Sequence, residues 1–405
     1  MQFQQRSDVL VNWTATSWGS AIQVPIPREF FLEGLIISFK VSGYNATNYS
    51  MATPSFAGDF LAGICDNIRL DVPTGSTLRS PVNASSAALL HYFRLLNGGL
   101  DRRTIMATDR ILNTASMWPA GSGAGAFREA YINIPIMFTP PNIDDPNASF
   151  FLLPLPRYSA NPLLNIQVTN TGAAPAPFAT GNGTSTVSPT LQYKITMLRR
   201  FVDAPSFPVY DTEFNFVRLP FPNAGDNQYN EIPAPGAFTS LMFMTYQADG
   251  KTVLPLVDEN SWYSSTSGSG AIVQGTGFTQ YNKYFELKFL GNTIRRMNPL
   301  EIQAVGDWST DVCVNPTATV SQDAGTIGPH VFMWDFMSDR VGANAGDFGS
   351  VLDTTPLVGQ GARVQLYASP TYSGTGGSVM YMYYHRVFGD ISPFIRKFKP
   401  TANKG

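Results

Sequence analysis

The sequence predicts an all-β chain made of two tandem eight-stranded jelly rolls with one or two short inserted helices. Three observations carry this reading. Apolar residues alternate with polar ones at period two along most of the 405 residues, as in half-buried antiparallel strands. Gly (35) and Pro (30) are abundant and punctuate the alternating segments as turns. Short sequence matches recur in the same order in both halves.

Leu35, Ile37, Phe39 and Val41 share one face of the first strong strand, with Ser38 and Lys40 on the other. Ile132, Ile134, Ile136 and Phe138 repeat the pattern, as do Leu164, Ile166 and Val168, and then Leu191, Tyr193, Ile195 and Met197. Further on come Phe214-x-Phe216, Phe285-x-Leu287-x-Phe289, Phe332-x-Trp334-x-Phe336, Val364-x-Leu366 and Met380-x-Met382-x-Tyr384. A helix is expected where Leu89, Tyr92, Phe93 and Leu96 fall at i, i+3, i+4, i+7 after Ser85 or Ser86 as cap, ending at Asn97-Gly98. A weaker one spans 102–112. The long Gly/Pro/Asn/Ser stretches 169–189 and 264–277 read as loops.

The repeat sets the domain plan. Gly75-Ser-Thr-Leu-Arg79 returns as Gly291-Asn-Thr-Ile-Arg295, each after strand-like alternation. Ile166-Gln-Val168 has a counterpart in Val364-Gln-Leu366, and Leu198-Arg-Arg-Phe-Val-Asp203 in His385-Arg-Val-Phe-Gly-Asp390. Between the halves lies the stiff segment Ala204-Pro-Ser-Phe-Pro208. The expected plan is an N-terminal arm (1–19), a first jelly roll (20–204), a second (205–391) and a basic C-terminal tail (392–405). Eight strand candidates per half fit two packed sheets better than propeller blades or immunoglobulin modules.

Composition bounds the function. Only 14% of residues are charged, against roughly 25% in an average soluble domain. With 27 Lys+Arg against 29 Asp+Glu the net charge is −2, so no overall field favours nucleic acid, and no specific nucleic-acid recognition is expected. Few charges beside 13% aromatics suggest surface destined to be covered. Cys65 and Cys313 are far apart and read as buried free thiols. No apolar N-terminal leader and no run of membrane-spanning length is legible. The Asn-x-Ser/Thr triplets at Asn12, Asn45, Asn83, Asn147 and Asn182 read as coincidence.

Catalytic patterns are sparse. His91, His330 and His385 are isolated, with no metal-ligand spacing, and read as structural. No nucleophile elbow or phosphate loop is present, and Gly121-Ser-Gly-Ala-Gly125 reads as a flexible loop. Asp144-Asp145, Asp258-Glu259, Glu286 and Asp335 are the candidate acids of a glycosidase-like pair. The first two sites sit in turn-forming contexts. Trp13, Trp18, Trp118, Trp262, Trp308 and Trp334 are scattered, as core or interface tryptophans are. No catalytic residue, metal or cofactor is therefore expected. The arm Met1–Thr16 mixes Phe3, Val9, Leu10, Val11 and Trp13 with polar residues, a weak amphipathic signal. The tail concentrates charge: Arg396, Lys397 and Lys399 interleave with Phe394, Ile395 and Phe398, with Lys404 beyond and no acid. Such a segment suits an anionic inner surface, a bilayer or packaged nucleic acid.

Taken over 20–391, the chain resembles the double jelly-roll major capsid proteins of tailless icosahedral viruses of the adenovirus/tectivirus-like lineage. The likeness rests on Phe31-Leu-Glu-Gly-Leu-Ile-Ile-Ser-Phe39 as an opening strand, Cys65–Arg79 as the next strands, the Pro-punctuated Leu152–Val168 and the closing strand Val379–Phe388. The resemblance implies barrels standing side by side, a homotrimer with a pseudo-hexagonal footprint, outward loops and inward termini. It further implies neighbouring trimers, penton and minor capsid proteins and an internal lipid membrane as partners. Residence would be in the virion, after assembly in the host cytoplasm. Two other readings remain open at the level of residues, a carbohydrate-binding spike or lectin and a jelly-roll glycoside hydrolase.

Overall fold

The computed structural model describes residues 4–44, 62–74, 77–96, 128–138, 152–170, 190–201, 211–223, 225, 228–232, 236–248, 250, 257–258, 263–264, 273–274, 279–280, 282–289, 292–299, 301–302, 331–336, 352–354, 364–370 and 377–388. Sixteen strands of five residues or more lie among them. The first eight are β1 (Gln4–Thr16), β2 (Ala21–Pro25), β3 (Phe31–Tyr44), β4 (Cys65–Thr74), β5 (Thr77–Ala84), β6 (Arg128–Met137), β7 (Leu163–Val168) and β8 (Thr190–Phe201). The second eight are β9 (Asp211–Phe221), β10 (Gln228–Ile232), β11 (Ala237–Gln247), β12 (Asn282–Phe289), β13 (Asn292–Met297), β14 (Val331–Asp335), β15 (Val364–Pro370) and β16 (Ser378–Phe388).

Each set folds into two facing four-stranded sheets of the same order. In the first barrel these are β1-β8-β3-β6 and β2-β7-β4-β5; in the second, β9-β16-β11-β14 and β10-β15-β12-β13. Strand n of one barrel thus corresponds to strand n+8 of the other, which is the eight-stranded jelly roll twice. The residues expected to form an N-terminal arm are instead strand β1, in register with β8 from Gln4↔Phe201 to Thr16↔Leu191.

The duplication extends to irregularities. In the first barrel, pairing of β3 with β8 skips one residue between Leu32↔Arg199 and Gly34↔Leu198. In the second, β11 skips one against β16 between Phe238↔Arg386 and Ser240↔His385. The bulged residues are Glu33 and Thr239. In both barrels the carbonyl of the bulged residue accepts a hydrogen bond from the residue that follows β6 or β14, Phe138 N–H at 3.4 Å and Phe336 N–H at 3.0 Å. A two-residue bridge then covers the strand start, Leu153–Pro154 on Phe31 and Leu32, and Leu352–Asp353 on Ala237 and Phe238. A bulge kinks a strand and raises its twist, and both barrels use one at the same corner.

The period-two faces fill two cores. Leu35, Ile37, Phe39, Ile134, Ile195 and Leu164 belong to the first; Phe243, Phe285, Leu287, Phe332, Trp334 and Met382 to the second. Aromatic rings in mutual contact fill the second core, with Phe243 stacked on Phe332 at 4.7 Å and Phe285 tilted against Phe332 at 4.8 Å. The α-helix α1 (Ser86–Leu96) follows β5. Ser85 caps it, its Oγ accepting from Ala88 N–H at 3.2 Å. Ser86 is buried and its hydroxyl exchanges hydrogen bonds with the Cys65 backbone. In the second barrel a helical turn at the same place is capped by Asn298, whose Oδ1 accepts from Glu301 N–H at 2.9 Å. The candidate helix 102–112, the linker 204–208 and the loops 171–189 and 265–272 lie outside the described residues.

Candidate assembly interface

Between the barrels the sheets fuse. Edge strand β5 of the first barrel lies parallel to edge strand β9 of the second, with Val82 opposite Phe214, and one continuous sheet runs from β2 to β14. The pattern of β9, β11 and β16 explains why this seam is largely apolar. Leu241, Phe243, Met382 and Tyr384 face the second barrel's own core, while Met242, Met244, Phe214 and Tyr383 face the other way and join the first core. A strand apolar on both faces is one buried on both faces.

Helix α1 and strand β5 supply the polar stitches. Arg79 Nη2 donates to the Thr212 carbonyl at 2.7 Å, and its guanidinium lies 5.0 Å from the Phe388 ring centroid. Asn83 Nδ2 donates to Asn215 Oδ1 at 2.9 Å, and Ser240 Oγ to the Tyr92 hydroxyl at 3.2 Å. Tyr92 packs 4.4 Å from Phe214 and stacks on His385 at 6.0 Å. Burial pushes the Tyr383 phenol up to about 12, against a weaker opposing hydrogen bond with Ser85. Tyr384, beside it in sequence, is also pushed up to about 12, by burial first and by the Glu213 carboxylate second. Glu213 receives two bonds from Arg386 on one carboxylate oxygen, Oε2, from Nε at 2.9 Å and Nη2 at 2.8 Å, charge-assisted bonds stronger than neutral ones. The equivalent Arg199 pairs with Asp8 and, at 3.4 Å, with Glu29, and lies 4.4 Å from the Phe30 centroid. That hydrogen bond holds the Asp8 carboxyl below its ordinary range.

The first barrel's outer sheet face is different. The rings of Trp13 and Tyr131 meet edge-on at 6.1 Å, and Lys40 Nζ lies 5.8 Å from the Tyr131 centroid. Val9, Trp13 and Tyr131 are 54%, 39% and 43% exposed.

The sequence-derived candidates distribute as follows. Phe394, Arg396, Lys397, Phe398 and Lys399 all lie outside the described residues, as do Asp144, Asp145, Glu259, His330 and Cys313. Glu286 is buried on β12, accepting from Thr293 Oγ1 and lying 3.6 Å from Lys288 Nζ. It is held by its own hairpin. Asp335 sits on β14 in the facing sheet, opposite Ser240. Asp258 lies in a short bridge, opposite Thr279. His91 is buried on α1, and His385 Nδ1 is 2.6 Å from Thr239 Oγ1. Cys65 is a buried free thiol, pushed up by burial. Trp334 is core, whereas Trp13 is surface. Among the described residues no group of three or more His, Cys, Asp or Glu could hold a metal ion, and no helix is long and apolar enough to cross a membrane. The seam itself carries a signal in the sequence, the unbroken apolar run Leu241-Met-Phe-Met244, which has no polar face.

No protein-family model matches the chain, and no curated protein does. Solved structures match along nearly its whole length. The crystal structure of the STIV MCP superposes with a TM-score of 0.58 at 13% identity, covering 97% of this chain and 99% of that one. The PBCV-1 virus capsid gives 0.55 at 12%, covering 95% and 94%. The Faustovirus major capsid protein gives 0.53 at 9%, covering 96% and 90%. At such identities the likeness establishes a shared fold, the double jelly roll.

Proposed function

We propose that this chain, carrying the double barrel of those viral shell proteins, is itself a major capsid protein. Three copies form a pseudo-hexagonal tile, and tiles pave an icosahedral shell over an internal membrane. The observation that carries the reading is the register-level equivalence of the two barrels. A tile of three such chains has six near-identical sides, and six near-identical sides pack a plane with one protein. The low charge and the paired aromatics Trp13 and Tyr131 on an open face are what an interface core looks like before it is covered.

In this reading the tail 392–405 lies on the inner layer, with Arg396, Lys397 and Lys399 toward lipid headgroups and Phe394 and Phe398 toward the acyl boundary. Penton and minor capsid proteins complete the shell, in virions assembled in the host cytoplasm.

Native mass spectrometry and negative-stain imaging of the purified chain test the tile: a trimer with a six-lobed outline is expected. A monomer at every concentration overturns it. Flotation with anionic vesicles tests the inner layer: the full chain is expected to float and a chain lacking 392–405 to stay behind.

A further inference from the structure

Equivalence of the barrels leaves two strand edges without the partner their counterparts have. The edge of β5 pairs with β9. The counterparts are β13 for β5 and β1 for β9, and among the described residues each of these pairs on one side only, β13 with β12 and β1 with β8. Open edges invite strand addition.

The side chains follow the same logic. In the β4–β5 hairpin Arg79 stands opposite Val72, and in the β12–β13 hairpin Arg295 stands opposite Leu287. Arg79 is the residue that reaches across the seam to the Thr212 carbonyl and the Phe388 ring. On the receiving sheet, register fixes the correspondences. Val9, Ser38, Lys40, Asn133, Lys194 and Thr196 stand where the second barrel has Phe216, Met244, Tyr246, Val331, Tyr381 and Tyr383. The second set is covered within the chain and joins or packs against the first core. The first set is more polar, with Val9 exposed in it and Trp13 and Tyr131 exposed on the same two barrel strands β1 and β6. A face covered from the moment of folding can be fully apolar. A face that waits in water for another molecule needs polar residues around a few aromatic anchors.

We propose that copies of this chain join head to tail, β13 of one copy lying beside β1 of the next, in repetition of the β5–β9 seam. Arg295 then takes, toward the neighbour's β1 edge, the role Arg79 has toward β9. Trp13 and Tyr131 are covered by the neighbour's second barrel around the segment that Asn298 caps. The contact is heterologous, so it makes a ring where its rotation closes, here at three copies, instead of a two-fold pair. The proposal rests on the trimeric tile inferred above and names the surface that holds it together.

The test uses the full chain. Arg6 on β1 and Arg296 on β13 are both exposed. The double variant Arg6→Cys/Arg296→Cys, treated with a short bis-maleimide, is expected to give covalent dimers and closed trimers, with each single variant and the wild type giving neither. Separately, Val9→Asp with Ile294→Asp is expected to convert trimer to monomer, with far-UV circular dichroism and the melting transition unchanged. A trimer that persists in the Asp variant and yields no cross-link overturns this assignment of faces but leaves the tile reading intact. A wild-type chain that is monomeric at all concentrations removes both.

Discussion

Arg199 and Arg386 hold the same position in their barrels, each opposite the residue that precedes a one-residue bulge, Leu32 in one case and Phe238 in the other. Each is paired with a carboxylate on the neighbouring edge strand, Asp8 on β1 and Glu213 on β9. They are the Arg of the Leu-Arg-Arg-Phe and His-Arg-Val-Phe repeats. The repeat therefore marks a structural corner, where a bulge, an ion pair and a bridging segment coincide.

Removing one partner at that corner strands the other. Arg386→Met leaves Glu213, largely buried, without its cationic partner. Loss of a buried pair's partner costs about 3–5 kcal/mol; the residual exposure of this pair reduces the expected loss to about 2 kcal/mol. Urea midpoints of the variant and wild type measure it. The double variant Arg386→Met/Glu213→Leu is expected to recover most of the loss.

The seam makes stability sensitive to alkali. The Tyr383 phenol titrates near 12 when folded and near 10 when unfolded. A raised value means the neutral form is favoured by folding. That contribution is full below about pH 10 and is lost as pH rises through about 12. Tyr383→Phe, which cannot ionise, is expected to flatten the fall in melting temperature over this window. Wild type and variant melts at increasing pH, with phenolate absorbance followed in parallel, provide the comparison.

At the other end of the scale, Asp8 is held below its ordinary range by Arg199. Its ion pair contributes above the unfolded carboxylate value and is lost as pH falls through the lower folded value. The stability difference between wild type and Asp8→Asn is expected to be present at neutral pH and to vanish in acid. Denaturant titrations at several acidic pH values check the sign.

Gly377 precedes β16 with φ +77°, and a Cβ there would lie 2.2 Å from the Phe221 carbonyl oxygen. Gly377→Ala is expected to cost about 3 kcal/mol or more, combining left-handed strain with a backbone clash. Thermal melts measure the loss, and Gly63→Ala, with nothing within 4 Å of its added Cβ, serves as the tolerant control.

Two tryptophans separate folding from assembly. Trp334 is 1% exposed in the second core, and Trp334→Ala is expected to cost about 4 kcal/mol. Trp13→Ala, at the surface beside Tyr131, is expected to change monomer stability by less than about 1 kcal/mol while weakening association. Denaturation paired with native mass measurement resolves the two effects.

Most of the strands were legible because alternation is a local signal. Leu35-x-Ile37-x-Phe39 or Ile132-x-Ile134-x-Ile136 declares a strand with one buried face wherever it stands. Strand β1 was misread as an arm because Val9, Leu10 and Val11 are consecutive and two register shifts interrupt its pairing with β8, so the period is broken where it would have been read. Residue type alone marks the carboxylates and the basic tail in the sequence. Glu286 is held by its own hairpin, and the tail falls outside the described residues. The seam was not anticipated. Phe214-x-Phe216 and Met242-x-Met244 announce apolar faces but not which core receives them.

The sequence alone determined that the chain is β-structured, that it is written twice and that Arg79 and Arg295, or Arg199 and Arg386, are counterparts, since each is a matter of spacing along the chain. Only the tertiary structure decided that Arg79 meets Phe388, that β5 joins β9 and that, among the described residues, β13 and β1 each pair on one side only. Those facts depend on how two closed barrels fit side by side, and residues more than three hundred positions apart carry no local pattern that says they will touch.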